Sequence, residues 1–323
     1  MASSVTSEFC FILNGKGGGL RVSSRHLEKV KNKVAWVHLD EEDEKSVDWL
    51  YHQSGLEETV VENLLDEDTQ PRYFTTPQGL FVVLRGVNAN RHADVEDMIA
   101  LRIWIEKDRI ISFSHRRLTA IEKMAAALKE GKGPLNPMNA FIMIAEVMNE
   151  NISDVVAKID DDLDDIEDDM IDVSRDSTTL LQSRISEIRH KILGIRRYLG
   201  PQRDLFNALK IMDIQTITKE ERTTLKDISR DLQKFVEDLD FAREHSTVNQ
   251  EELNSRINVQ LNQTMYMLTI IMVVLAPLTL VTGILGSNSI EVSQEPLRFL
   301  GITGALAVFG LLQIWYLKKK KWF

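Results

Sequence analysis

The chain has 323 residues, 43% of them apolar, and carries a formal net charge of −10. That length allows two domains, and the acidic balance argues against a nucleic-acid binder, which needs Lys and Arg against phosphates. A single cysteine, Cys10, excludes an internal disulfide and a thiolate zinc cluster within one chain.

Residues 1–145 read as an α/β domain. The strands predicted from β-branched and aromatic runs are Phe9–Leu13, Val34–Leu39, Tyr73–Thr76, Leu80–Val87, Ile99–Ile105 and Arg109–Ser114. Helical patterns lie between them at Glu44–Gly55 and Glu58–Leu65, and again at Arg117–Glu130. The glycine run 15-GKGGG-19 has the spacing of neither a P-loop nor a dinucleotide fingerprint, so it is expected to be a hairpin turn. The N-terminus has no basic start followed by an apolar run, so no signal peptide is expected and the large N-terminal part should stay in the cytoplasm.

Residues 138–200 read as two helices, of which 146–200 is taken as an acidic/basic helical pair. In the first helix, Ile152, Val155, Val156, Ile159, Leu163, Ile166 and Met170 recur at steps of one, three or four. Its other face carries Asp161, Asp164, Asp165 and Asp168 among further acids, and like charges this close destabilise an isolated helix. Metal ions or a basic partner would offset that cost. The terminal lysines 318–321 are one candidate partner; Arg184, Arg189, Lys191, Arg196 and Arg197 on the next helix are the other.

Residues 201–264 read as a stalk. Leu225, Ile228, Leu232, Phe235, Leu239 and Ala242 alternate by three and four, the mark of a helix packed on a neighbour. No Gly or Pro interrupts the chain between Pro201 and Pro277. One helix from Thr218 to Leu285 would be about 100 Å long, too long for the membrane alone.

Two uncharged stretches, Met265–Leu285 and Phe299–Leu317, are each long enough to span hydrocarbon. They set the remaining boundaries: 265–288 for the first span, 289–297 for the link, 298–317 for the second span and 318–323 for the basic tail. The link carries Glu291 and Glu295 against Arg298, and the chain closes on four lysines. Lysines beside a span mark the cytoplasmic side, so both termini should be cytoplasmic and the acidic link should face outward.

One face of the first span reads Asn262, Met265, Thr269, Met272, Ala276, Thr279, Gly283 and Gly286, in alternating steps of three and four. It is small, polar or flexible where the opposite side is Ile, Val and Leu. Two spans cannot enclose a channel, but a ring of copies can, with Asn288 amides at the outer mouth and Glu291 and Glu295 concentrating cations. Simple helix packing without a pore is the plainer alternative. The seven histidines show no paired ligand spacing; His245, on the stalk with Glu244 and Glu251, is the best funnel candidate. No nucleophile–base pairing or cofactor motif supports an enzyme, and no cofactor is expected beyond the ion transported.

The long helix, then 277-PLTLVTGILGSN-288, an acidic link, a second span and a basic tail resembles the CorA superfamily of metal-ion transporters. Gly286-Ser287-Asn288 stands at the place of that family's Gly-x-Asn signature. A second set of residues resembles the ZntB-type zinc branch: Pro71-Arg72, Leu84-Arg85-Gly86-Val87-Asn88, Glu96-Asp97-Met98, Leu101-Arg102 and Trp104, with 34-VAWVHLD-40 and Trp49-Leu50. The resemblance implies a homopentamer in the bacterial inner membrane, with αβα domains and stalks forming a funnel. It also implies pore-lining roles for Asn288, Thr279, Leu268, Met265 and Asn262, and a basic tail paired with the acidic helix. The cargo it implies is zinc, with or without coupled protons; the alternative is a magnesium, cobalt or nickel channel. Two departures bear on that choice: Ser287 replaces the methionine usual in magnesium channels, and the link lacks the Gly-Gly-Ile-Pro run of the zinc branch.

Overall fold

The computed structural model describes residues 9–22, 33–40, 44–66, 70–90, 94, 96–171, 175–212, 217–287 and 296–319. The chain divides into two compact units, Met1–Gln250 and Glu251–Phe323.

The first unit is built on a mixed sheet of seven strands: β1 (Phe9–Leu13), β2 (Gly19–Val22), β3 (Ala35–Asp40), β4 (Arg72–Thr75), β5 (Leu80–Gly86), β6 (Ile99–Ile105) and β7 (Arg109–Ser114). Their order is β2-β1-β3-β7-β6-β5-β4, and β3–β7 is the parallel pair among antiparallel neighbours. The glycine run is the turn between β1 and β2, as its spacing predicts. The Asn14 side-chain oxygen accepts the N–H groups of Lys16 (2.8 Å) and Gly18 (2.9 Å). Gly15 and Gly17 take φ of 68° and 86°, a region that a Cβ disfavours. The strand after the turn, β2, is absent from the sequence reading. Four residues with Leu20 and Arg21 both exposed show no alternation to detect.

Side chains alternate across the pleat, so each central strand feeds two cores. Ala35, Val37 and Leu39 share one face with Phe81, Val83, Trp104, Ile111 and Phe113. Helices α1 (Glu44–His52) and α2 (Glu58–Leu65) close that face with Trp49, Leu50, Val60, Val61 and Leu64. Each such side chain fully buried stabilises by roughly 1.5–3 kcal/mol, which is why β3 and β7 read as near-continuous apolar runs. The other face meets α3 (Thr119–Glu130), α4 (Pro137–Ile171) and α5 (Arg175–Leu209), giving the expected αβα layering.

The first long helix starts within one residue of the expected 138, at Pro137, where the Asn136 side chain accepts the Asn139 N–H at 2.7 Å and proline takes the first helical position. A break at 200 is replaced by a helix running through Pro201 to Leu209. An internal proline costs about 3 kcal/mol. Gly200 before it has no Cβ to crowd the ring, and burial of Leu205, Phe206 and Leu209 offsets the rest.

The third long helix, α6, runs unbroken from Lys219 to Ser287. It opens on a reciprocal capping box: Glu221 N–H donates to Thr218 Oγ1 (3.2 Å), and Thr218 N–H donates to Glu221 Oε2 (2.9 Å). Within the first unit it buries Leu225, Ile228, Leu232, Phe235, Leu239 and Ala242, the residues the three–four pattern selects. The second unit holds the rest of α6 and α7 (Pro296–Lys319).

Candidate functional site

In the second unit, α7 packs on one side of α6. Ile270 is buried, Val274, Pro277 and Leu278 are half-buried, and a Cβ built on buried Gly310 would lie 3.6 and 4.0 Å from the Leu278 methyls. At about 100° per residue, this side is opposite the stripe Asn262, Met265, Thr269, Met272, Ala276, Thr279 and Gly283. That stripe is exposed along its whole length; Met265 is 62% and Met272 68% accessible. Leu268, at its margin, is exposed as well. Gly286 lies in the last turn of α6. Asn288, Glu291 and Glu295 lie outside the described residues.

The threonine hydroxyls on the stripe do not point freely outward. Thr269 Oγ1 donates to Met265 O (2.8 Å) and Thr279 Oγ1 to Leu275 O (2.9 Å). With the proton turned into the helix, the lone pairs are left outside, so each oxygen offers an acceptor suited to a cation or its water. One described helix, within Lys219–Leu280, is long and apolar enough to cross a membrane; the described part of α7 carries the shorter apolar stretch Thr303–Gln313. Lys319 Nζ sits 5.1 Å from the Trp315 ring centre at the end of α7, an interfacial pairing.

In the first unit, polar links tie α6 to its neighbours. Asn149 donates to Asp231 (3.3 Å), and Ser229 donates to Asn207 (2.7 Å). Arg196 grips both Asp240 oxygens at 2.5 and 3.0 Å. That bond holds the Asp240 carboxyl below its usual range and raises Arg196. The basic residues expected to offset the acidic helix therefore divide. Arg184 bridges Asp169, and Lys191, raised first by its bond to Glu187, also feels Asp162. Arg189 and Arg196 serve α6 instead, and Arg197 lies over Tyr198. Asp161, Asp164, Asp165 and Asp168 are exposed.

The funnel candidates are not brought together. Glu244 and Glu251 are exposed one heptad apart, whereas His245 turns into α4 and places Nε2 3.2 Å from Glu167 Oε2. Sequence reading missed Glu167, because no spacing links residues on different helices. Among the described residues, no group of three or more His, Cys, Asp or Glu is placed to hold a metal ion.

The ZntB-like residues of the sheet meet α5. Arg85 N–H donates to Gln202 Oε1 (2.7 Å), and its guanidinium lies 4.2 Å from the Tyr198 ring centre and reaches Met98 O. Burial lowers the Arg85 pKa. Glu96 packs on Gly194, and buried Arg102 donates to Asp66 O (2.7 Å), at the C-terminal end of α2 where a cation is favoured. These residues seat the sheet on the helices of the first unit.

A family model described as CorA-like Mg2+ transporter protein matches residues 31–319. The chain belongs to this CorA-like transporter family. The "Divalent cation transporter CmaX" of Pseudomonas aeruginosa is 32% identical over 321 residues, covering 97% of this chain and 95% of that protein. The "Zinc transport protein ZntB" of Pectobacterium atrosepticum is 28% identical over 312 residues, covering 96% and 94%. The solved structure of full-length CmaX superposes with a TM-score of 0.81 at 30% identity, covering 99% of this chain and all of that one. The fold is thus CorA-like, with a soluble αβ part, a long helix and an apolar helix, and the protein is a membrane protein.

Proposed function

We propose that this CorA-like chain passes divalent cations, zinc first among them, through a central pore made by a ring of five copies in the bacterial inner membrane. The observation that carries the reading is the two-sidedness of α6. Ile270, Val274, Pro277 and Leu278 are buried or half-buried on the side where α7 packs, and the stripe with Asn262, Met265, Thr269, Met272 and Thr279 lies opposite, exposed together with neighbouring apolar side chains such as Val273 and Leu275. A stripe of amide, hydroxyl and small groups left exposed along an otherwise apolar helix is costly in lipid, and the cost is removed when copies turn it toward a common wet axis. Both termini then lie on the cytoplasmic side, with Lys318 and Lys319 at that interface.

In this reading a hydrated ion enters past Glu291 and Glu295, is selected at a ring of Asn288 amides by Gly286, and descends past Thr279, Met272, Leu268, Met265 and Asn262. Glu244 and Glu251 draw cations along the stalk, and Asp161, Asp164, Asp165 and Asp168 pair with the terminal lysines. The relatives named for zinc and for divalent cations support this cargo. One feature favours the second reading, a magnesium, cobalt or nickel channel. The stripe offers hard, neutral oxygens, which suit ions carried with their water, and no imidazole or thiolate. Uptake into liposomes holding the purified protein separates the two: zinc should enter faster than magnesium, measured at two pH gradients that also report proton coupling. Asn288→Ala should change the flux while leaving the oligomer intact. Unchanged flux removes Asn288 from selection, and no uptake of any divalent ion overturns the proposal.

A further inference from the structure

Among the described side chains of 301–313, Leu306, Gly310 and Gln313 are the ones not exposed. Steps of four and three put them on one side of α7, the side pressed on α6. The contact of Gly310 with Leu278 sets the register between the two helices. Because α7 returns along α6, Gln313, three residues beyond Gly310, lies about 4.5 Å nearer the stalk, level with Val274 and Leu275. Its Oε1 is buried there without a hydrogen-bond partner. Ile270, Val274, Pro277 and Leu278, which face α7, have no side-chain donor to give it.

The same level of α6 holds a backbone carbonyl with a particular need. Pro277 stands inside the helix and has no N–H, so the Val273 carbonyl four residues earlier receives no helical bond from it. A helix carbonyl points along the axis toward the residue four ahead. Val273 O therefore lies beneath the Pro277 ring, on the side half-buried under α7, although the Val273 side chain itself is exposed. Hydrocarbon offers such a carbonyl no water, and side chains or neighbouring helices are what let a membrane helix carry proline. The nearby threonines bond other carbonyls: Thr269 that of Met265, Thr279 that of Leu275, and Thr282 those of Leu278 and Thr279.

We propose that Gln313 is a positioning residue for the pore helix: its amide, turned over so that Nε2 takes the buried place of Oε1, donates to Val273 O and ties α7 to the proline turn of α6. The last torsion of glutamine is broad and two-fold, so exchanging the amide's two ends costs little. Thr279 and Gly283 of the stripe lie beyond Pro277, and Met272, Thr269 and Met265 lie before it. With the tie made, the two halves of the stripe keep one line; with it broken, the proline turn is free to bend. That role in conduction rests on the stripe being the pore wall, but the tie itself does not.

The test is amide hydrogen exchange on the full chain in lipid nanodiscs, for Gln313→Met, Pro277→Ala and the double variant. Methionine keeps the length of glutamine and removes the donor, and alanine gives position 277 an N–H of its own for Val273 O. In the wild-type background Gln313→Met should speed exchange at residues 278–282 by about threefold, the size of one hydrogen bond between helices in a bilayer. In the Pro277→Ala background it should change nothing, because the carbonyl is already paired. Equal acceleration in both backgrounds would assign Gln313 to packing alone, and no acceleration in the wild-type background would remove the bond; either result overturns the proposal. Zinc uptake into liposomes is read in parallel, and Gln313→Met should alter it only where Pro277 is present. A wild-type protein that carries no divalent ion defeats the pore reading, and the tie is then decided by the exchange result alone.

Discussion

Gly194 tests how tightly the sheet is seated on α5. A Cβ at this position would lie 2.5 Å from Glu96 Cβ and 3.3 Å from Glu96 Cγ. Carbon atoms rest at about 3.5–4.0 Å, so the seam must open by about 1 Å or the turn holding Glu96 must move. Overpacking of this kind costs about 1–3 kcal/mol. Against it, alanine is favoured over glycine inside a helix by about 1 kcal/mol. Gly194→Ala should therefore lower stability by about 1 kcal/mol net. The sign reverses when Glu96 is glycine. The next atom, Glu96 Cα, is 3.6 Å from the new methyl, an ordinary contact. In the Glu96→Gly background Gly194→Ala should thus stabilise, by up to about 1 kcal/mol. Urea unfolding of the full chain in detergent, followed by tryptophan fluorescence, reads both backgrounds. Equal or greater stability for Gly194→Ala in the wild-type background, or the same sign in both, would refute the packing argument.

Two further outcomes follow from burial and charge. Burial pushes the Cys10 thiol up to about 12, so at neutral pH it is protonated within the sheet core and should resist an aromatic disulfide reagent until denaturant is added; fast labelling of the native protein would contradict this. Asp240 is held below the ordinary carboxylate value by Arg196, so its contribution is present above that value and is lost as pH falls through the lower folded one. Because the pair is more than a third exposed, Asp240→Asn should cost under about 1 kcal/mol at pH 7, and the difference from wild type should shrink as pH falls below the ordinary carboxylate value, read from urea midpoints; a pH-independent difference would show that packing, not charge, is responsible.

The buried strands and the stalk were legible because each repeats one period over many residues. Ala35–Leu39 and Ile99–Ile105 are largely apolar runs buried on both faces, and Leu225 to Ala242 keeps a helical stripe that burial matches position by position. What escaped was set by partners distant in sequence. Nothing local announces that Pro201 is carried inside a helix by Leu205 and Phe206, that Arg196 belongs to Asp240, or that His245 meets Glu167. The stripe on α6 was visible as spacing. The direction of its threonine hydroxyl protons, turned back to Met265 and Leu275, was not.

The claim that the stripe lines a wet axis is tested most directly by thiol accessibility in intact membranes. Cys10 is shielded and can stay in place. Single substitutions Met272→Cys and Thr279→Cys should react with a charged, membrane-impermeant thiol reagent, and zinc should slow the reaction. Val274→Cys and Leu278→Cys, on the α7 side, should stay unlabelled. Labelling of Val274→Cys and Leu278→Cys with Met272→Cys and Thr279→Cys silent would place the water on the wrong side of α6 and contradict the account.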